Sequence, residues 1–195
     1  QFEIVSNGVF LMDTRDGRSE QALVAEALLE HAAARRLLIG GLGVGFSLLE
    51  AVAHRDLERI VVVEIEPSLL RWHTTHLAHL TGQALADPRV ELVLADVREH
   101  LEASAGAYDV VCLDVDNGPD WTVTEDNTGL YGFDGTRSAV AALAPGGVLA
   151  VWSANRAPAY AELLTRYLDD VRAVEVAVRL PRAEPDVVYL GRRRG

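Results

Sequence analysis

Three acids in this chain each follow a short apolar run. Val61-Val62-Val63 precedes Glu64, Val90–Leu94 leads through Ala95 to Asp96, and Val110-Val111-Cys112-Leu113 precedes Asp114. Apolar runs of this length read as buried strands, so each acid falls at a strand tip. In an open α/β sheet, ligands sit outside the carboxyl ends of the strands. There Glu64 can accept the hydroxyls of a ribose, Asp96 can meet the amino group of a base beside apolar Val97, and Asp114 can hold a cation or take a proton. The same acids could instead cap the helices that follow Glu64 and Asp96.

A second motif sharpens this chemistry. Leu37-Leu38-Ile39 runs into Gly40-Gly41-Leu42-Gly43-Val44-Gly45, and Glu64 follows Gly41 by 23 residues. Glycines let a backbone approach a ligand closely, and the helix that follows offers free N–H donors. Strand, glycine turn, helix, strand and acid together point to a nucleoside-containing cofactor, with Gly41, Gly43, Gly45 and Glu64 in contact with it.

The remaining elements must hold these groups in place. A hairpin of Glu3–Val5 and Val9–Met12 turns at Ser6-Asn7-Gly8. Ser19 is the expected N-cap of a helix reaching Ala34, with Leu23, Ala27 and Leu28 on one face. Strands at Leu37–Gly40, Ile60–Glu64, Val90–Leu94, Tyr108–Leu113 and Val148–Trp152 alternate with helices. Those helices are expected at Gly45–His54, from Pro67, at Arg98–Leu101, Phe133–Leu143 and Pro158–Leu168. Ala173–Leu180 and Val187–Leu190 read as an antiparallel terminal pair. Continuous apolar strands alternating with helices imply a mostly parallel sheet covered on both faces. The expected division is a hairpin extension at 1–17 and a Rossmann-like domain at 18–195.

Composition narrows the partners. The chain has 195 residues and a net charge of −11, which argues against nucleic acid, because phosphate binding needs a basic field. No segment is long and apolar enough to suggest a membrane span, and with a single cysteine no internal disulfide can form, so a cytoplasmic protein is expected. All 18 basic residues are Arg, which excludes a Schiff-base or Walker-type lysine. Cys112 and Trp152 sit in apolar strands and are expected in the core. His73, His76 and His79 are spaced i, i+3, i+6, which spreads them around a straight helix, so no metal is expected. Trp121 follows Asn117-Gly118-Pro119-Asp120 and serves either as a wall of an acceptor pocket or as a loop anchor. Tyr131 could orient an acceptor through its hydroxyl.

On these residues the chain resembles the spermidine synthase-like branch of class I S-adenosylmethionine-binding proteins. Gly40–Gly45 is similar to that family's GGGDG turn, and Val63-Glu64-Ile65-Glu66 to its VEID strand end. Ala95-Asp96-Val97 is similar to its GDA segment, and Tyr108-Asp109-Val110-Val111 to its YDVI strand. Leu130-Tyr131 and Leu143–Leu149 also match. Ile39 stands where ordinary methyltransferases place an acid before the turn. The resemblance implies a seven-stranded, Rossmann-like sheet of the class I methyltransferase fold. It also implies S-adenosylmethionine or its decarboxylated form as cofactor, with Ile65 and Val97 among the contacts.

Three departures bear on the reaction. Val44 replaces an aspartate of the family's glycine turn. The family's D-S-S-D run reads Asp114-Val115-Asp116-Asn117. Its Tyr-His pair reads Glu20-Gln21, which puts Gln21 in the acceptor pocket. The leading expectation is therefore methyl transfer to the N or O of a small molecule, with Asp114, Asp116 and Tyr131 at the reacting centre. Intact S-adenosylmethionine is then expected to bind better than the decarboxylated form, because the start of the helix at Gly45 suits a carboxylate. Polyamine-forming aminopropyl transfer and non-catalytic nucleoside binding are the alternatives. The short hairpin could pair two subunits into a homodimer.

Overall fold

The computed structural model describes residues 2–6, 8–115, 117–119, 128–177 and 184–195. Strands β1 (Glu3–Ser6) and β2 (Val9–Asp13) form an antiparallel hairpin that is a sheet of its own. Helix α1 (Arg18–Glu30) leads into the main sheet. Its elements are β3 (Arg36–Gly40), α2 (Phe46–Ala53), β4 (Arg59–Glu64), α3 (Pro67–Thr74), α4 (Ala78–Leu85), β5 (Val90–Leu94), α5 (Val97–Glu102) and β6 (Tyr108–Leu113). They are followed by α6 (Thr128–Tyr131), α7 (Phe133–Ala142), β7 (Leu143–Ser153), α8 (Pro158–Thr165), β8 (Leu168–Val176) and β9 (Asp186–Arg193).

The seven strands lie in the order β5-β4-β3-β6-β7-β9-β8. The five strands from β5 to β7 are parallel, and β9 runs antiparallel between β7 and β8. Alternation along each buried strand splits the apolar side chains between two cores. Leu37, Ile39, Cys112 and Ala150 face Leu23, Ala27, Leu48 and Ala84 of α1, α2 and α4. Leu38, Val111, Leu149 and Val151 face Leu101, Ala139, Tyr160 and Leu164 of α5, α7 and α8. The sequence thus places the sheet and its two coverings correctly.

The differences have local causes. Gly17, not Ser19, precedes α1, and the Phe46 ring fills the space where a Cβ at 17 would stand. The helix expected from Pro67 is two helices, with Leu77 N donating back to the Trp72 carbonyl at the break. Strand β7 begins at Leu143, ahead of the expected Val148, and β8 begins at Leu168, expected as the end of a helix.

One side chain fixes the entry of β3. Asp109 Oδ2 accepts from the backbone N–H of Arg35 and Arg36 at 2.9 and 2.8 Å, and Oδ1 accepts from the Arg36 guanidinium at 2.7 Å. Burial works against its charge, but these donors outweigh it and hold its pKa below the usual range. Asp109→Ala is expected to cost about 1–3 kcal/mol in urea unfolding at pH 7. The difference should shrink in acid, because a lowered carboxylate pKa stabilises above the unfolded value and is lost as pH falls.

Candidate functional site

The chain reverses direction across the sheet between β3 and β6, and such a switch point opens a crevice at the strand ends. Here the two tips touch through backbone. Asp114 N donates to the Gly40 carbonyl at 2.8 Å, and Gly41 N to the Val63 carbonyl at 2.8 Å. Gly41 has φ +92°, and a Cβ there would collide with the Asp114 carbonyl oxygen. Glycine is required by both conformation and contact. Gly43 and Gly45 also have positive φ, at +51° and +94°.

Glu64 organises this turn. It is buried, with Oε2 accepting from Leu42 N and Oε1 from Glu66 N, both at 2.8 Å. A carboxylate offers about four lone-pair directions, so two remain for ribose hydroxyls. Its removal therefore affects more than a ligand. Glu64→Ala is expected to destabilise the ligand-free protein by about 1.5–3 kcal/mol in urea unfolding, the range for bonds to a charged group. An unchanged midpoint would remove Glu64 from the turn-holding role.

Other N–H groups of the turn are engaged as well. Gly45 N donates to the Leu42 carbonyl at 2.9 Å, and Val44 N to the Met12 thioether at 3.1 Å. Met12 lies over Gly43 where a Cβ would be. Being unbranched and flexible, it can give way to a ligand. Val44 is buried beside the turn and brings no charge to it.

The other candidates fall around this centre. Asp96 caps α5, its Oδ1 accepting from Arg98 N at 2.7 Å. Val97 packs against Gly40 in the core below, while Ile65 is largely exposed beyond Glu64. Gln21 is half-buried on α1. Tyr131 donates its hydroxyl to the Val115 carbonyl at 2.5 Å and stacks edge-on with Tyr160, which ties α6 to the segment after β6. Cys112 and Trp152 are buried in the core, as expected. Asp116 and Trp121 lie outside the described residues.

What the spacing did not announce is a group of acids around Asp114. Ser47 Oγ lies 3.2 Å from both Asp114 Oδ2 and the Glu20 carbonyl, joining the tip of β6 to α1. Asp186 opens β9 and is buried. Because β9 is antiparallel, its first residue lands at the edge where the parallel strands end, as the pairing of Val187 with Ser153 shows. Burial pushes Glu20 up to about 7, helped by Asp186 and Asp16. Burial likewise raises Asp114 well above the usual carboxylate range, with Glu20, Asp186 and Glu64 adding repulsion. The region favours an added proton or an added cation. The sequence carries one signal for Asp186: an acid directly before the apolar run Val187–Leu190 of a terminal antiparallel strand.

Known proteins resemble this chain in sequence and fold. A family model described as the spermine/spermidine synthase domain matches residues 18–179. Polyamine aminopropyltransferase 2 of Pseudomonas aeruginosa is 39% identical over 103 residues, 51% of this chain and 30% of that protein. Polyamine aminopropyltransferase 2 of Hyperthermus butylicus is 30% identical over 133 residues, 66% of this chain and 41% of that protein. The chain thus spans less than half the length of these curated relatives. A spermidine synthase solved in complex with the transition-state analogue AdoDATO superposes with TM-score 0.83 at 18% identity, covering 97% of this chain and 66% of that one. The N-methyltransferase NodS of Bradyrhizobium japonicum superposes with TM-score 0.67 at 18% identity, covering 94% and 99%. At such identities the two structures share the fold alone.

Proposed function

Since the chain belongs to the spermine/spermidine synthase domain family, we propose that its crevice transfers an aminopropyl group from decarboxylated S-adenosylmethionine to an amine. The observation that carries this reading is the group of acids at Glu20, Asp114 and Asp186, in which burial and neighbouring acids disfavour the charged forms of Glu20 and Asp114. An ammonium group relieves that repulsion. Intact S-adenosylmethionine would bring a carboxylate toward the same acids, so the order of preference expected from the sequence is reversed. The relatives' names and the family favour aminopropyl over methyl transfer in the same direction.

The residues present fit the donor. The turn at Gly41–Gly45 offers close backbone approach, Glu64 keeps lone pairs for a ribose, and Asp96 stands at the neighbouring tip. When bound, the donor supplies a sulfonium whose adjacent carbon is open to substitution. The acceptor nitrogen must be neutral to attack. Burial and the neighbouring acids favour the protonated form of Asp114, and an ammonium bound beside it favours the carboxylate, which is then placed to take the acceptor's proton. The new N–C bond then forms as the C–S bond breaks, and the electron pair leaves on sulfur with methylthioadenosine. Glu20 and Asp186 hold the distal ammonium of a diamine, which sets the attack direction. Most of the catalysis is positioning, so few side chains need do more.

The test is a side-by-side assay. The purified protein is incubated with a panel of diamines and either S-adenosylmethionine or its decarboxylated form. Methylthioadenosine from the decarboxylated donor is the expected product. S-adenosylhomocysteine from the intact donor would restore methyl transfer, and binding without either product would favour a non-catalytic nucleoside-binding protein.

A further inference from the structure

His73 is among the most deeply buried polar residues described, yet it has no place in the chemistry above. Its ring bridges two elements. Nε2 lies 2.8 Å from the Gly43 carbonyl and Nδ1 lies 2.6 Å from Thr81 Oγ1. A carbonyl only accepts, so Nε2 carries the proton, and Nδ1 then accepts from the Thr81 hydroxyl. Burial lowers the His73 pKa, in keeping with this neutral tautomer. The last glycine of the turn rests on the same pair. A Cβ at Gly45 would strike the Thr81 methyl and come within 3.3 Å of His73 Cε1.

The break between α3 and α4 makes this possible. His73 sits in the last turn of α3 and Thr81 in α4, and the corner between them brings both onto the turn. Gly43 has φ +51° and lies beneath Met12, and its carbonyl is the atom that His73 holds. Glu64 holds the turn from one side through Leu42 N, and His73 holds it from the other through Gly43 O.

We propose that His73, oriented by Thr81, is a positioning residue that sets the nucleoside-binding turn through the Gly43 carbonyl. The role in binding rests on the function proposed above; the latch itself does not. Groups pinned on two sides lose less freedom when a ligand arrives, so the latch contributes to affinity without touching the ligand.

Two near-isosteric variants separate this from simple packing. His73→Gln can place an amide N–H where Nε2 stands and keep the Gly43 bond. His73→Asn reaches only the Nδ1 position and keeps Thr81 at most. Amide exchange of residues 41–45 is read first, in the ligand-free protein. It is expected to quicken at least tenfold in His73→Asn and to stay within threefold of wild type in His73→Gln. Methylthioadenosine affinity, by calorimetry, is expected to follow the same order, with a tenfold weaker Kd for His73→Asn and a saturated kcat within threefold of wild type. Equal exchange in the two variants would overturn the latch. Should the wild type bind no nucleoside, the proposed function and His73's role in binding both fail, while exchange still decides the latch. Exchange that quickens with no change in Kd would overturn the role in binding. His73→Leu serves as the unfolding control: if exchange in all three variants quickens uniformly along the chain, the role is structural and the proposal is overturned.

Discussion

Asp114→Asn is expected to lower kcat for methylthioadenosine release by 10²–10⁴, the usual contribution of a positioned general base. The amide cannot take the proton that an ammonium acceptor must lose. Its shape is nearly unchanged, and the Ser47 hydroxyl can still donate to the remaining oxygen at the 3.2 Å contact. The same substitution is expected to leave the melting temperature equal or higher. In the native chain this carboxyl is disfavoured as an anion by burial and by Glu20, Asp186 and Glu64. Removing its charge removes that repulsion. The two readouts move in opposite directions, which a general loosening of the fold cannot imitate. A kcat within threefold of wild type in the folded variant would take Asp114 out of the proton-transfer role.

The second large effect is on stability against pH. Burial carries the Glu20 pKa from an ordinary 4.5 to about 7, and Asp186 and Asp16 add to the rise. The folded state therefore holds this proton more tightly than the unfolded chain. Below about pH 4.5 the group is protonated in both states and costs nothing. As pH rises toward 7, the unfolded chain releases the proton first, so folding stability falls, and above 7 the loss is complete. The full loss is on the order of 3 kcal/mol, and Asp114 acts in the same sense. Urea unfolding of the ligand-free protein from pH 4.5 to 8 is expected to show this decline, and Glu20→Gln to flatten it. A bound diamine should reverse it, since a cation lowers both pKa values and expels protons. Calorimetry in two buffers of different ionisation enthalpy reads that release near pH 6.5. No proton release on binding would place the ammonium elsewhere.

Both effects arise from residues that differ in how far sequence could reveal them. Asp114 is legible because it closes an apolar run that can only be a buried strand, and strand tips form the ligand edge of such a sheet. Glu20 is placed near the acceptor pocket only by the family's Tyr-His position, and its closeness to Asp114 becomes visible through Ser47, which bridges α1 and the β6 tip. Asp186 becomes a neighbour only because β9 runs antiparallel beside β7, in a register that sets Val187 against Ser153. Val44, one of three departures from the family's pattern, is buried, whereas the acids nearest Asp114 come from α1 and β9.

Local periodicity along the chain is enough to specify most of the elements and their alternation. Runs of apolar residues set the strands, the glycines set the turn after β3, and the alternation of strand and helix sets a mostly parallel sheet with two cores. Each of these follows from neighbours along the chain, where steric and burial preferences act over a few residues. Tertiary structure alone decided which groups meet. Glu64 satisfies Leu42 N, Met12 lies over Gly43, His73 reaches the Gly43 carbonyl, and three distant acids share one desolvated edge. Those pairings depend on register, on the corner between α3 and α4, and on the direction of the last strand. Hydrogen bonds and charge repulsion act through space at short range, so their partners become known only when the fold has placed them.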